Sequence, residues 1–170
     1  YFHKSIGGYH AAKMGRYQDL IEFQLAKQNM QVYNMLNVKY FILPGDDGKE
    51  LVQQNPDANG NVWFVNEIRY MQTANEEIKA LDSLNTKEVA VLRDYNPYGF
   101  EDSVKYNIDT TATIKLTEYS LNALAYKSFS SQDNFAVFSE IYYKEGWNAY
   151  IDGEFKPHIS VNYVLRGMEI

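Results

Sequence analysis

The run "YNIDTTATIKLTEYS", residues 106–120, constrains the fold more than any other stretch. Ile108, Ala112, Ile114 and Leu116 fall on one parity. Asn107, Asp109, Thr111, Thr113, Lys115 and Thr117 fall on the other. Successive side chains of a strand point to opposite faces, so the pattern predicts a strand with one buried and one wet face. Such a strand needs a second layer over its apolar side. "LAYKSFS", "FAVFSEIYY", "GWNAYI" and "HISVNYVLR" follow as further strands at short intervals, and "VKYFIL", "VWFVNEIRYM" and "EVAVLRDY" precede it. Asp152-Gly153 has the chemistry of a two-residue hairpin turn and would join "WNAYI" to "EFKPHI". Parity places Trp147 with Ala149 and Ile151, a pattern that predicts a core tryptophan. In the next strand Ile159, Val161, Tyr163 and Leu165 share a face, with Arg166 on the opposite one.

Helical spacing is confined to three places. "RYQDLIEFQLAKQ" sets Tyr17, Leu20, Ile21 and Leu25 on one side, and "MQVYNMLN" does the same with Val32, Met35 and Leu36. "NEEIKALDSL" predicts a short helix with Asn75 as N-cap and Glu76 and Glu77 in its first turn. Helices first and strands later indicate an α+β fold, with N-terminal helices packed on a mainly antiparallel β-sandwich. The whole of 1–170 reads as a single domain. Residues 1–38 form a helical arm and helices, and 39–170 are mainly β-sandwich with a short helix near 75–84. The alternating βαβ rhythm of a nucleotide-binding fold is absent from this reading.

Composition narrows the function classes. At 170 residues and 45% hydrophobic, the chain can bury one real core. The net charge of −6, without a basic block, argues against a nucleic-acid partner. There are no cysteines, which removes disulfides, thiolate metal sites and cysteine nucleophiles. No apolar run approaches the roughly 20 residues of a membrane helix. His3, His10 and His158 lack metal-ligand spacing, so no metal is expected. "NPDANGN", residues 55–61, begins like a calcium loop, but its twelfth position is Asn66 where a bidentate glutamate is needed, so it reads as a turn-rich loop. Without a phosphate-binding glycine fingerprint, no cofactor is expected either.

The polar cluster that stands out is N-terminal: His3, Lys4, Tyr9, His10, Lys13, Arg16, Tyr17 and Asp19. Glycosyl transfer needs donors for a phosphate leaving group and a carboxylate base for the acceptor hydroxyl. Lys4, His10 and Arg16 supply the first chemistry and Asp19 the second, with Tyr9 and Tyr17 beside them. Lys4, Tyr9, His10, Arg16, Tyr17 and Asp19 are therefore the candidate ligand-binding set. The competing reading is an arm that docks on the sandwich or on another part of a larger protein. No motif of fixed catalytic geometry occurs in the cluster, so no catalytic residue is assigned.

Several ordered motifs carry a resemblance. Ser139-Glu140, Tyr142-Tyr143, Gly146-Trp147, the turn at residues 150–153 and the strand from Asn162 to Arg166 resemble the C-terminal extracytoplasmic region of YfhO-family bacterial membrane proteins. "YFHKSIGGYHAAKMGRYQDLI", "MLNVKYFI" and "NPDANGNVWFV" resemble the same family in the form common among Bacteroidetes, so the likeness spans nearly the whole chain in order. The family's usual ending, a Pro-Ala-Gly turn and a last strand before a membrane helix, is missing. With an abrupt start at Tyr1, this leads to the expectation of a piece of a longer protein. The family consists of polytopic proteins resembling glycosyltransferases that use lipid-linked sugars. The resemblance implies a water-exposed, extracytoplasmic (periplasmic) domain of the cytoplasmic membrane. It would be non-catalytic and would position or cover a glycan or lipid-linked sugar in cell-envelope glycosylation. The rest of the parent membrane protein would be its partner. That role expects the N-terminal arm and the C-terminal end on one, membrane-facing side. A free-standing carbohydrate-binding sandwich and a purely structural or protein-interaction domain remain as alternatives.

Overall fold

The computed structural model describes residues 5–7, 13–45, 48–93, 103–108 and 110–170. Strands dominate, in several mostly antiparallel sheets, with a few short helices. The central sheet has the order β12-β13-β9-β3, built from Ile159–Val161, Leu165–Glu169, Phe135–Ile141 and Val62–Val65, with every neighbour antiparallel. Its strands carry near-continuous apolar runs, "FAVF" in β9 and "VWFV" in β3, because both sheet faces are covered. The inner face presents Trp63, Val65, Phe135, Val137, Ile159, Val161 and Leu165 to the main core. Leu20, Val32 and Met35 close that core from the N-terminal helices. The outer face presents Val62, Ala136, Phe138 and Met168. Two hairpins cover it: β7–β8 (Thr113–Tyr119 and Leu124–Phe129) through Ile114 and Tyr126, and β10–β11 (Ala149–Ile151 and Glu154–Lys156) through Ala149 and Ile151. Gly167 in β13 leaves room for the Phe135 ring, which a Cβ at that position would strike.

The helices explain how the N-terminus docks. α1 (Gly15–Leu20) runs into a π-helical stretch at Ile21–Leu25, closed by Ala26 N donating to Ile21 O at 2.9 Å. Such single π-turns interrupt α-helices only rarely, and within this one the buried Gln24 amide donates to Ile78 O at 2.7 Å. α2 (Met30–Met35) is capped by Asn29, whose side chain accepts from Gln31 N. A separate hairpin, β1–β2 (Tyr40–Pro44 and Glu50–Gln54), follows it.

Some expectations are met. The Asp152-Gly153 hairpin forms, with both residues at positive φ, 50° and 87°. The alternating run becomes β7, with Ile114 and Leu116 half-buried and Thr113, Lys115 and Thr117 exposed. Others are corrected. "VWFVNEIRYM" is two strands in different sheets, β3 and β4 (Glu67–Tyr70), parted at Asn66. After β4 the chain passes through α3 (Ala74–Ala80) into β5 (Val89–Leu92), which pairs with β4 in parallel. One βαβ crossover therefore exists where the sequence reading found none; β6 (Ser103–Lys105) lines the other edge of β4 antiparallel. α3 is capped by Thr73, not Asn75. Thr73 Oγ1 accepts from Glu76 N at 3.2 Å, and the Glu76 carboxylate accepts from Thr73 N at 3.1 Å. "HISVNYVLR" is likewise two strands, β12 and β13, because Asn162 and Tyr163 turn the chain at φ 48° and 72°. Trp147 is half-buried rather than in the core; Trp63 is the core tryptophan. Among the described residues, no helix is long and apolar enough to cross a membrane.

Candidate functional site

Of the N-terminal set, Lys4, Tyr9 and His10, with His3, lie outside the described residues. Arg16, Tyr17 and Asp19 all sit on α1. The structure brings Arg16 and Asp19 to one cluster centred on Glu77 and Tyr163. Glu77 is 0% exposed. Its Oε2 accepts from Arg16 Nη2 at 3.0 Å and lies 3.9 Å from Arg93 Nε, while its Oε1 accepts from Tyr163 N at 3.1 Å. Arg16 Nη1 donates to Ser160 Oγ and to Tyr163 O, each at 3.0 Å, and the guanidinium lies 4.7 Å from the centre of the Tyr163 ring. Tyr163 OH donates to Asp19 Oδ2 at 2.8 Å. Burial, then the Asp19 hydrogen bond, push the Tyr163 phenol up to about 12. Tyr17 turns elsewhere, donating to Ile6 O at 2.8 Å, and burial raises its phenol too.

A buried carboxylate persists only when paired and hydrogen-bonded. Here that pairing ties α1, α3 and the β12–β13 loop together. It also holds Tyr163 in the left-handed region, which costs a non-glycine residue about 1–2 kcal/mol. Of the groups that the sequence offered for glycosyl transfer, Arg16 and Asp19 are thus engaged inside the fold. Asn162 reinforces the same loop: Val91 N donates to its Oδ1 at 2.9 Å, and its own N donates to Val91 O at 2.8 Å.

A second polar group, on the outer side of the central sheet, was not found by sequence reasoning. Arg166 of β13 donates from Nε to Ile141 O at 3.1 Å. Its guanidinium lies 4.4 Å from the centre of the Trp147 ring. β9 and β13 change register here: Arg166 pairs with Phe138 but Leu165 with Ile141, so Ser139 and Glu140 are extra residues on β9. Bulges of this kind re-aim side chains. Burial lowers the Arg166 pKa while the Glu140 charge opposes that fall. Burial, with the Glu140 charge adding to it, pushes the Tyr126 phenol up to about 12, so it stays a donor. Burial and Arg166 hold His158 below its ordinary value. His158 stands edge-on to Tyr142, with ring centres 5.5 Å apart, and its buried Nε2 has no hydrogen-bond partner among the described residues. Among the described residues, the Arg166 Nη groups, the Glu140 carboxylate and the Tyr126 hydroxyl have no hydrogen-bond or ion-pair partner.

Other features are structural. The "NPDANGN" loop uses its amides as struts: Asn55 Nδ2 donates to Asn34 Oδ1 at 2.9 Å, and Asn59 Nδ2 to Thr86 Oγ1 at 3.2 Å. An open cleft of about 480 Å³ is lined by Asn66, Glu67, Glu88, Lys105 and Tyr106. It lies at the N-terminal ends of β4 and β5, whereas ligands of parallel sheets gather at the C-terminal ends. Arg16 docks at the loop end of β13 and Ile170 follows its far end, roughly 17 Å away at strand rise. The expectation that the N-terminal arm and the C-terminal end share one side falls largely on residues 1–4 and 8–12, which lie outside the described residues.

No family model, curated protein or solved structure matches this chain.

Proposed function

We propose that this chain is a non-catalytic extracytoplasmic domain of a polytopic glycosyltransferase-like membrane protein. Its task is to position a glycan or lipid-linked sugar during cell-envelope glycosylation, with the rest of the parent protein as partner. The observation that carries the reading is the outer-face group itself. Arg166 lies against Trp147 within the field of the Glu140 charge, all within the stretch that resembles the YfhO family, and among the described residues the Arg166 Nη groups and the Glu140 carboxylate have no partner. A cation held against an aromatic ring beside a free carboxylate suits a polyhydroxylated ligand. Positioning is favoured over chemistry because Arg16 and Asp19 are engaged in the Glu77 cluster. In this reading the central sheet, with helices inside and hairpins outside, is the sandwich-like body.

The experiment is a residue-resolved NMR titration of the chain with envelope sugars and sugar phosphates. Saturable shifts at the Trp147 indole are expected. No saturable shift with any ligand up to millimolar concentration would end this reading. A free-standing carbohydrate-binding module is the second reading. It is favoured by Tyr150 and Phe155, a cross-strand pair on β10–β11, each 61% exposed, with ring centres 6.0 Å apart. It places the shifts on that hairpin instead.

A further inference from the structure

We propose that the outer-face site recognises an uncharged sugar through two neighbouring hydroxyls. Arg166 Nη donates to them, Glu140 accepts from them, and Trp147 walls the ring. The inference rests on the glycan reading above and specifies the ligand class.

The first argument is charge. Arg166 and Glu140 carry opposite formal charges on the same side of the sheet, and they form no ion pair with one another. A phosphate or carboxylate drawn to the guanidinium would meet the Glu140 carboxylate beside it. A pair of hydroxyls, each both donor and acceptor, satisfies the two groups together. The second argument is orientation. The Arg166 fork is fixed along one edge by Ile141 O and on one face by Trp147, leaving the Nη edge to a ligand. A guanidinium held in this way loses little freedom on binding. The third is the register break. β9 and β13 fall out of step at Ser139 and Glu140, so Glu140 lies within the break, two residues along β9 from Phe138, the partner of Arg166. Tyr126 adds a phenol that remains protonated, a further donor for a sugar oxygen.

The test uses the 170-residue chain and four kinds of probe. These are the methyl glycosides of mannose, glucose and galactose, their deoxy analogues lacking one of two adjacent hydroxyls, the matching sugar phosphates, and methyl glucuronide. Binding is followed at the Trp147 indole N–H. At least one neutral glycoside should bind there, with its deoxy analogue weaker by about tenfold or more, since a hydrogen-bonding site rejects a ligand missing its hydroxyl. Glu140→Gln should weaken the neutral sugar about tenfold while raising affinity for the phosphate, and Arg166→Lys should weaken both. An unchanged amide pattern in the main core shows that each variant is folded. Tighter binding of the phosphates or the glucuronide than of the neutral glycosides overturns the inference and leaves the glycan reading standing. So does a deoxy analogue that binds as well as its parent. Binding that maps to Tyr150 and Phe155 and ignores Glu140→Gln also overturns it. If no sugar binds, the inference and the glycan reading fall together.

Discussion

The molecule holds two arginine–carboxylate–aromatic groups that differ in one respect. In the Glu77 cluster, Arg16, Asp19 and Tyr163 all bond to protein atoms, and the carboxylate at its centre is sealed from water. In the Arg166 group the guanidinium is only half-buried, and its outer nitrogens, Glu140 and Tyr126 bond to nothing in the described protein. The residue types are nearly the same. What differs is whether their polar atoms are satisfied internally. The first arrangement makes a lock between the N-terminal helix and the last hairpin, and the second leaves polar atoms open, which is what the proposed glycan site draws on.

The lock should break most expensively. Glu77→Ala removes the carboxylate that pairs with Arg16 and Arg93 and accepts from Tyr163 N, and removing one partner of a buried pair costs about 3–5 kcal/mol. Urea unfolding should show that loss; a loss under about 1 kcal/mol would make the cluster dispensable. Asn162→Ala comes next. It orphans Val91 N and places alanine at φ 48°, for an expected loss of about 2–3 kcal/mol by the same measurement.

Acidity sharpens the contrast on the outer side. His158 has its folded pKa depressed, by burial first and then by Arg166. For a base with a depressed folded value, the unfolded chain binds the proton more readily. The contribution is therefore fully present above the ordinary value of 6.5 and is lost as pH falls through it toward the lower folded value. The melting temperature should drop on acidification from about pH 7.5 to about 5, and His158→Gln should flatten part of that slope. The smallest effect belongs to the surface pair of Lys27 and Asp82, 3.2 Å apart with both side chains about half exposed. Lys27→Ala should change stability by less than about 0.5 kcal/mol.

What the sequence shows and hides follows from range. The Asp152-Gly153 hairpin and the alternation of β7 are local patterns and were legible. Thr73 with Glu76 is also local, a capping box; Asn75, a good cap residue itself, drew the helix start to the wrong place. Asn162 was an available turn signal inside an apolar run, but left-handed Tyr163 beside it is held by Glu77, 86 residues away in sequence. Trp63 and Trp147 both sit at strand parity. Parity cannot tell an inner core from an outer edge when hairpins cover the far side of the sheet. The Arg166 group was hidden for a similar reason. Arg166 and Glu140 lie on different strands, and only the pairing of β9 with β13, which no single strand's pattern encodes, brings them to one region. Arg16 and Asp19 were singled out as ligand-binding candidates, but their partners Glu77 and Tyr163 come from distant elements that tie them into a lock.

The most direct measurement is chemical-shift mapping on the whole chain with a binding neutral glycoside, reading both groups in one experiment. The predicted result is saturable shifts at the Trp147 indole N–H and the Arg166 Nε–H, with Arg16 and Tyr163 unmoved. Shifts centred on Arg16 and Tyr163, with Trp147 and Arg166 silent, would contradict it and make the N-terminal cluster the ligand site.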